Sequence, residues 1–139
     1  MNTFSIIKPD AMAKGHQTAI LRRIINAGFN LLAMQNSRLS EDQAREFYAI
    51  HKDKPFYEDL IKFMTSGNVC LLALQTPNEA VESFRKLIGD TDPKESAIGT
   101  IRNLYGTDVS HNAIHGADSS ENARKEILFF FPELKPYLD

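Results

Sequence analysis

The order of hydrophobic patterns along the chain predicts an α+β fold of the ferredoxin-like type, with a β-α-β-β-α-β core. Short apolar runs typical of strands alternate with segments whose apolar residues recur at helical spacing. The run Val69–Leu74 is apolar enough for a central strand buried on both faces. The chain of 139 residues is long enough for one hydrophobic core and short for two domains. We therefore expect a single domain over residues 1–139, built as a four-stranded antiparallel sheet with helices packed on one of its faces.

The first part of the chain contains two strand patterns separated by a helix pattern. Thr3–Ile7 is apolar and extended in character, and Pro9 is expected to stop that strand. Isoleucine and leucine residues at positions 20, 21, 24 and 25 repeat at helical spacing, and Gly28 is expected to end the helix. Phe29–Met34 is predicted to be the second strand.

Helix-start signals organise the middle of the chain. Ser40 and Gln43 form an S-x-x-Q capping box, which predicts a helix that carries Tyr48 near its end. A further helix is predicted over residues 57–64, before the strand Val69–Leu74. Asn78 is expected to cap the next helix, which ends at Gly89.

Periodicity fades between Asp90 and His111, apart from a possible helical turn around residues 98–105. A loop of this length in a compact domain is usually functional. It contains Thr91 and Arg102 and leads directly to His115, so we expect it to form part of a site.

Composition narrows the class of protein. A formal charge of −2 and a pI near 6.1 provide no basic field for nucleic acid or an anionic membrane, so neither is expected as the main partner. The single cysteine, Cys70, excludes an internal disulfide, and no zinc-ligand spacing is present. Lys8 and Asp10 interrupt the N-terminal apolar stretch, and no run is long enough to span a bilayer. A cytoplasmic protein is the expectation.

The segment from Asn112 to Glu121 contains the most informative histidine. Ala113 and Ile114 are predicted to form a brief strand, Gly116 permits a bend, and Asp118 with Glu121 resembles a capping pair. The helix that follows contains Glu126, whose carboxylate could reach the His115 ring. A carboxylate on one ring nitrogen leaves the other nitrogen free to act as a nucleophile.

Structural explanations compete with this interpretation. A lone histidine beside a strand end is usually a satisfied surface or core residue. Lys8, Arg85 and Arg102 are each more often solvated charges, unless they converge on His115. Neither GxxxxGK[ST] nor GxGxxG occurs, which argues against a P-loop and a dinucleotide fold. Phosphoryl transfer needs cations and a positioned nucleophile. A histidine that accepts the phosphate itself is consistent with a chain that has no glycine-rich loop to hold phosphates.

Seven ordered blocks resemble the nucleoside diphosphate kinase family over essentially the whole chain. They are Phe4–Ala11, Phe47–His51, Lys54–Tyr57, Phe63–Gly67, Gly89–Pro93, Gly99–Arg102 and Asn112–Ser119. The resemblance implies that a nucleoside triphosphate, mainly ATP, donates its γ-phosphate to His115. The phosphohistidine then passes it to a nucleoside diphosphate in a ping-pong reaction.

The resemblance also implies roles for the other residues. Catalytic positions are Glu126, which orients the histidine, Tyr48, which orients the transferred group, and Lys8, which reaches the phosphates and the ribose. Nucleotide-binding positions, besides Lys8, are Asn112 at the sugar, Arg85, Thr91 and Arg102 at the phosphates, and Phe56, Leu60 and Val109 at the base. His16, His51 and His111 are expected to be non-catalytic, and Tyr48, Phe56 and Leu60 also fit ordinary packing positions.

Mg²⁺ is implied as the cofactor. It is expected to ride on the nucleotide phosphates, with Asp118 nearby and no metal ligand from the protein. A homo-oligomer is implied too, and a hexamer is favoured over a tetramer because the loop beginning at Thr91–Pro93 lies at subunit contacts in the family.

Three departures from the family pattern stand out. Ala117 occupies a position that is usually Ser, Asn68 one where Pro is common, and the chain stops at Asp139, so base contacts from a C-terminal extension of a partner are not expected. The alternative function is a nucleotide-binding regulatory module of the same fold without turnover. The intact set of site residues favours the enzyme.

Overall fold

An antiparallel sheet of four strands forms the centre of the molecule. The computed structural model describes all residues, 1–139. The strands are β1 (Asn2–Ile7), β2 (Asn30–Ser37), β3 (Val69–Gln75) and β4 (Ile114–Gly116). Their order across the sheet is β2-β3-β1-β4, and every neighbouring pair is antiparallel. The predicted α+β, ferredoxin-like architecture is confirmed.

Seven α-helices surround the sheet. They are α1 (Pro9–Ala13), α2 (Gln17–Asn26), α3 (Glu41–Phe47), α4 (Tyr57–Met64), α5 (Ala80–Ile88), α6 (Ile101–Tyr105) and α7 (Ser120–Phe130). Short 3-10 helices follow α3 at Ala49–His51 and α7 at Pro132–Tyr137. No helix combines the length and the apolar character that a membrane span needs. The possible helical turn in the long loop is confirmed as α6.

Helix α1 was not expected. Pro9 stops the first strand as predicted, but it also begins this helix. Proline is well tolerated at the first helical position, because the N–H group that it lacks would have no partner within the helix there.

Helices cover both faces of the sheet, so the expected packing on one face is wrong. Leu71 and Ala73 of β3 point to a cluster completed by α3, α4 and α7. Leu72 and Leu74 point the other way, to a cluster that contains apolar residues of α2, α5 and α6. A strand with apolar residues at successive positions has no face suited to water. All residues of β3 from Val69 to Leu74 are buried accordingly.

Local capping chemistry decides where the helices begin. The Ser40–Gln43 capping box is confirmed, since both of its reciprocal hydrogen bonds are present. The other two expected caps are wrong. Glu79 rather than Asn78 precedes α5, without a side-chain bond, and Ser119 rather than Asp118 caps α7 by accepting from the amide of Asn122. In both cases the cap is the residue directly before the first helical position, one residue after the expected one.

Strand β4 is only three residues long, and it pairs with β1 alone. The pairs are Ser5 with Gly116, Ile6 with His115, and Ile7 with Ile114. Because β1 is a central strand, this pairing places His115 beside the core of the sheet. It also places Lys8, the residue after β1, beside the segment that leads into β4.

Candidate active site

The His115 ring is held by a carboxylate from α7. Its Nε2 lies 2.6 Å from Oε1 of Glu126, and both side chains are about four-fifths buried, with 20% exposure each. A carboxylate only accepts hydrogen bonds, so Nε2 carries the proton in this pair. The lone pair of the neutral ring is therefore on Nδ1, which is the nitrogen able to act as a nucleophile.

Aromatic rings surround that histidine. The ring centroids of Phe4, Phe47 and Tyr48 lie 6.2, 5.6 and 6.4 Å from the centroid of His115. The Tyr48 hydroxyl is buried and has no hydrogen-bond partner within the protein. Burial, followed by the charge of Glu126, raises the pKa of Tyr48 well above its usual value. The hydroxyl therefore stays protonated and is available as a donor to a ligand oxygen.

Two arginines anchor on the backbone on either side of His115. Buried Arg102 of α6 donates through Nη2 to the Ile114 carbonyl at 2.9 Å and through Nη1 to the Gly89 carbonyl at 3.1 Å. Exposed Arg85 of α5 reaches the Gly116 carbonyl at 3.5 Å. Ile114 and Gly116 are the residues directly before and after the histidine, so both guanidinium groups approach it.

The glycine that anchors Arg102 cannot be replaced without strain. Gly89 has a φ of 89°, and a Cβ atom at this position would lie 1.9 Å from Oγ of Ser96. Glycine alone fits both the left-handed backbone and the close approach of the loop that follows α5.

Lys8 is the third cation of the site. Its Nζ donates to Oδ1 of Asn112 at 2.8 Å, and Nδ2 of Asn112 donates to the Thr91 carbonyl at 3.0 Å. Burial, followed by the positive charge of Arg102, lowers the pKa of Lys8 to about 8, and Asp10 acts in the opposite direction. Burial and then the charge of Arg85 lower the pKa of Arg102 to about 10.

The three cations therefore converge, since the charge of Arg102 acts on Lys8 and the charge of Arg85 acts on Arg102. Like charges that repel one another in a partly buried site favour an anionic ligand there. Their positions follow from three separate elements: the end of β1, the helix α5 and the helix α6.

The side chains predicted for the base lie around α4. Phe56 directly precedes this helix, is 49% exposed and packs on the His51 ring at 5.5 Å between centroids. Leu60, one turn later, is partly buried against the core. Val109 is exposed and belongs to the loop before β4. This loop contacts the same helix through His111, whose ring centroid lies 4.8 Å from that of Phe63.

Besides Phe4, sequence reasoning gave no role to three further residues that contact the site. Ser5 donates from its hydroxyl to the His115 carbonyl at 2.7 Å, and a carboxylate oxygen of Asp10 accepts from the Ala113 amide at 3.0 Å. Phe47 contacts the histidine ring. Ser5 could have been noticed as a polar residue inside an apolar strand, and Asp10 as a carboxylate two residues after Lys8.

No group of three His, Cys, Asp or Glu side chains is arranged to hold a metal ion. Around His115 the donors are instead cations, an amide and a phenol. Asp118, whose Oδ1 accepts from Asn122, is a carboxylate that lines the same open cavity as Arg85. These residues fit a metal ion that enters on a ligand's phosphates better than one held by the protein.

This set of cations and donors matches a ligand with several phosphate oxygens, and the oriented histidine has a free nitrogen that can act as a nucleophile. The arrangement defines a phosphoryl-transfer enzyme. Comparison with known proteins specifies which one: the family profile "Nucleoside diphosphate kinase" matches residues 1–135, and the chain belongs to that family. It is a phosphotransferase that acts between nucleotides, as the sequence resemblance implied.

Relatives match along nearly their whole length. The chain is 50% identical to a nucleoside diphosphate kinase of Campylobacter lari over 129 residues, which are 93% of each protein. It is 48% identical to nucleoside diphosphate kinase 1 of Protochlamydia amoebophila over 129 residues, 93% of this chain and 91% of that one.

Solved structures agree with the sequence comparison. The Aquifex aeolicus nucleoside diphosphate kinase superposes with a TM-score of 0.91 at 42% identity, covering 94% of both chains. A halophilic nucleoside diphosphate kinase from Halobacterium salinarum, in complex with CDP, superposes with a TM-score of 0.90 at 38% identity, covering 94% of this chain and 87% of that one.

Glu126→Gln is expected to lower kcat about 10- to 100-fold with little change in KM, because an amide can still accept from Nε2 but carries no charge to stabilise the ring as it reacts. Steady-state kinetics with ATP and a diphosphate acceptor measure this. The matched control is Glu121→Gln, on the same helix, where the carboxylate is exposed and pairs only with Lys125. Equal kcat values for the two variants would show that Glu126 has no special role.

The lowered pKa of Lys8 predicts that activity falls and stability rises as the pH increases above about 8. Its folded-state pKa of about 8 lies below the usual 10.5, so the ammonium is lost as pH rises through about 8, and kcat/KM for nucleotide should fall there. Between about 8 and 10.5 the unfolded chain binds more protons than the folded one, so the free energy of unfolding should rise with pH.

Lys8→Met should abolish both pH effects, as measured by kinetics and urea denaturation from pH 7 to 10. Lys125→Met, which removes an exposed lysine, serves as the control and should keep them. An alkaline fall in kcat/KM that persists in Lys8→Met would assign it to another group.

Proposed function

We propose that the chain transfers the γ-phosphate of a nucleoside triphosphate, mainly ATP, to a nucleoside diphosphate through a phosphohistidine on Nδ1 of His115. The observation that carries this proposal is the Nε2 contact with Glu126 at 2.6 Å, which leaves Nδ1 as the free nitrogen between two arginine-bound carbonyls. We propose further that residues 1–139 act as one domain.

In the first half-reaction the Nδ1 lone pair attacks the γ-phosphorus. The N–P bond forms as the bond from phosphorus to the β,γ-bridging oxygen breaks, and the diphosphate leaves with that electron pair. Nε2 keeps its proton, and Glu126 stabilises the positive charge that develops on the ring. In the second half-reaction a terminal oxygen of another diphosphate attacks the phosphorus and the N–P bond breaks.

The cations and neutral donors hold the phosphates in line for both half-reactions. Arg85 and Arg102 neutralise oxygens of the β- and γ-phosphates, with the Thr91 hydroxyl beside them. The Tyr48 hydroxyl, buried and without a protein partner, donates to the transferred group. Lys8 and Asn112 bind phosphate and the ribose hydroxyl as the linked pair that their hydrogen bond already forms.

Mg²⁺ is the proposed divalent ion, since the family reaction uses nucleotides whose phosphates need charge neutralisation. When bound on the phosphates, it would neutralise oxygen charge and lower the repulsion between donor and nucleophile. Asp118 is the carboxylate placed to approach its water ligands.

Phe56, Leu60 and Val109 form the proposed base slot. The exposed ring of Phe56 offers a π-face to any base, and none of the three side chains has a hydrogen-bonding group for a base edge. Broad base tolerance follows. The relative from Halobacterium salinarum was solved with a pyrimidine diphosphate, CDP.

We propose a homo-oligomer, with a hexamer favoured over a tetramer, located in the cytoplasm, where its nucleotide substrates are metabolites. Large apolar side chains lie exposed on the edge strand β2, at Leu31 and Met34, and in the loop after α5, at Ile98. Exposed apolar residues on a sheet edge are features of protein interfaces. The alternative of a regulatory module without turnover is not favoured, because the chain keeps the oriented histidine and all three cations.

The covalent step is tested by intact mass spectrometry after incubation with ATP and Mg²⁺. The wild type should gain one phosphate and lose it when a nucleoside diphosphate is added. His115→Ala should fold, gain none and lose turnover, because no other phosphate acceptor is proposed. His16→Ala, which removes a ring packed on Tyr105 outside the site, is the control and should behave like wild type. Phosphate on His115→Ala at the wild-type level would contradict the mechanism.

Base stacking is tested at Phe56. Phe56→Ala should weaken the binding of ADP and CDP in parallel, each by roughly 1 to 3 kcal/mol, and Phe56→Trp should restore most of it. Calorimetry measures both Kd values, with Tyr137→Ala as a control that removes another exposed ring. A large loss for one base and none for the other would mean that the slot reads base identity.

A further inference from the structure

The segment between Asn112 and His115 contains a strained turn. Ala113 has a φ of 74° and is the only non-glycine residue of the chain with a positive φ. The Ile114 amide donates to the Asn112 carbonyl at 2.9 Å, a bond between residues two apart. These are the marks of the γ-turn with positive φ at its centre, a rare and strained conformation for a residue with a Cβ atom.

Both backbone groups of Ala113 are held by the segment that follows β1. Its amide donates to Oδ2 of Asp10 at 3.0 Å, and its carbonyl accepts from the Lys8 amide at 2.8 Å. Asp10 lies in the first turn of α1, directly after Pro9, which begins that helix. A strained backbone persists only where surrounding contacts hold it, and Asp10 is the one side chain that binds this residue's backbone.

The turn connects two functional groups. On one side of Ala113, the Asn112 side chain bridges Lys8 and Thr91. On the other side, Ile114 and His115 enter the ladder with β1. A change of φ at Ala113 would therefore move the sugar- and phosphate-binding amide relative to the nucleophile.

We propose that Asp10 is a positioning residue for phosphoryl transfer, whose carboxylate holds Ala113 in the γ-turn that sets Asn112 and His115 relative to each other. This inference rests on the proposed function of His115. Asp10 touches neither nucleotide nor the transferred phosphate in this mechanism, and it acts only through the backbone of Ala113.

Glycine provides the decisive test, because it adopts positive φ without a steric penalty and so needs no carboxylate to stay in the turn. Asp10→Ala should lower the single-turnover rate of phosphohistidine formation about 10- to 100-fold, the scale of a small misplacement of reacting groups. Ala113→Gly alone should stay within about three-fold of wild type. The double variant should recover most of the lost rate, since the two changes act on one contact.

Two further variants separate this role from other effects. Asp10→Asn keeps an oxygen that can accept from the Ala113 amide, so it should retain more activity than Asp10→Ala. Asp10→Ala combined with Ala27→Gly applies the same alanine-to-glycine change at an exposed helix end with negative φ, and it should show no recovery. Circular dichroism checks that each variant folds, and amide exchange at residue 113 should accelerate in Asp10→Ala.

The outcomes are distinguishable from failure of the proposed function. If wild type forms phosphohistidine and Ala113→Gly does not rescue Asp10→Ala, then Asp10 acts through the charge of Lys8 or through stability, and the inference is overturned. An unchanged rate in Asp10→Ala also overturns it. If wild type itself forms no phosphohistidine, the proposed function fails and the catalytic role of Asp10 fails with it.

Discussion

The pairing of β4 with β1 is the interaction on which the site depends. A strand of three residues has little stability of its own, and here it is added to a central strand that is buried between helices on both faces. The Ser5 hydroxyl bonds the His115 carbonyl, and the Ala117 amide extends the pairing to the Phe4 carbonyl at 3.3 Å. His115 is therefore carried by backbone that is fixed in the sheet, which suits the accurate alignment that its proposed role as nucleophile needs.

Electrostatic repulsion is the second constraint. Lys8, Arg85 and Arg102 are brought together around one histidine. Burial, followed by the charge of a neighbouring arginine, lowers the pKa of Lys8 and of Arg102. Backbone carbonyls at positions 89, 114 and 116 bind the two guanidinium groups without neutralising them. The site therefore retains positive charge, and repulsion between its cations favours an anionic ligand.

Backbone carbonyls, rather than acidic side chains, accept the hydrogen bonds of the two arginines in this cluster. Gly89 lets the loop after α5 pass close to Ser96 and offers its carbonyl to Arg102, while the Thr91 carbonyl binds Asn112. The γ-turn at Ala113 then returns the chain to the sheet. The nearby carboxylates of Asp10 and Asp90 raise the pKa of Lys8 and Arg102 only in part, since burial and the neighbouring cations still lower both.

The sequence by itself determined the core order β-α-β-β-α-β, which follows from local periodicity, though not helix α1 or two of the three helix caps. Local pattern also singled out His115, Glu126 and the three cations, whereas the other residues of the candidate site came from the resemblance to the family. Even the approach of Glu126 to His115 could be expected, because Glu126 lies within the helix that begins just after the histidine and can fold back toward its ring. Tertiary structure alone decided that helices cover both faces of the sheet, that Nε2 rather than Nδ1 meets Glu126, and that Arg102 is buried. Tertiary structure also decided the positive φ of Ala113. The contacts that hold this residue come from Lys8 and Asp10, about a hundred residues earlier in the chain, and the pairing of β1 with β4 brings the two segments together.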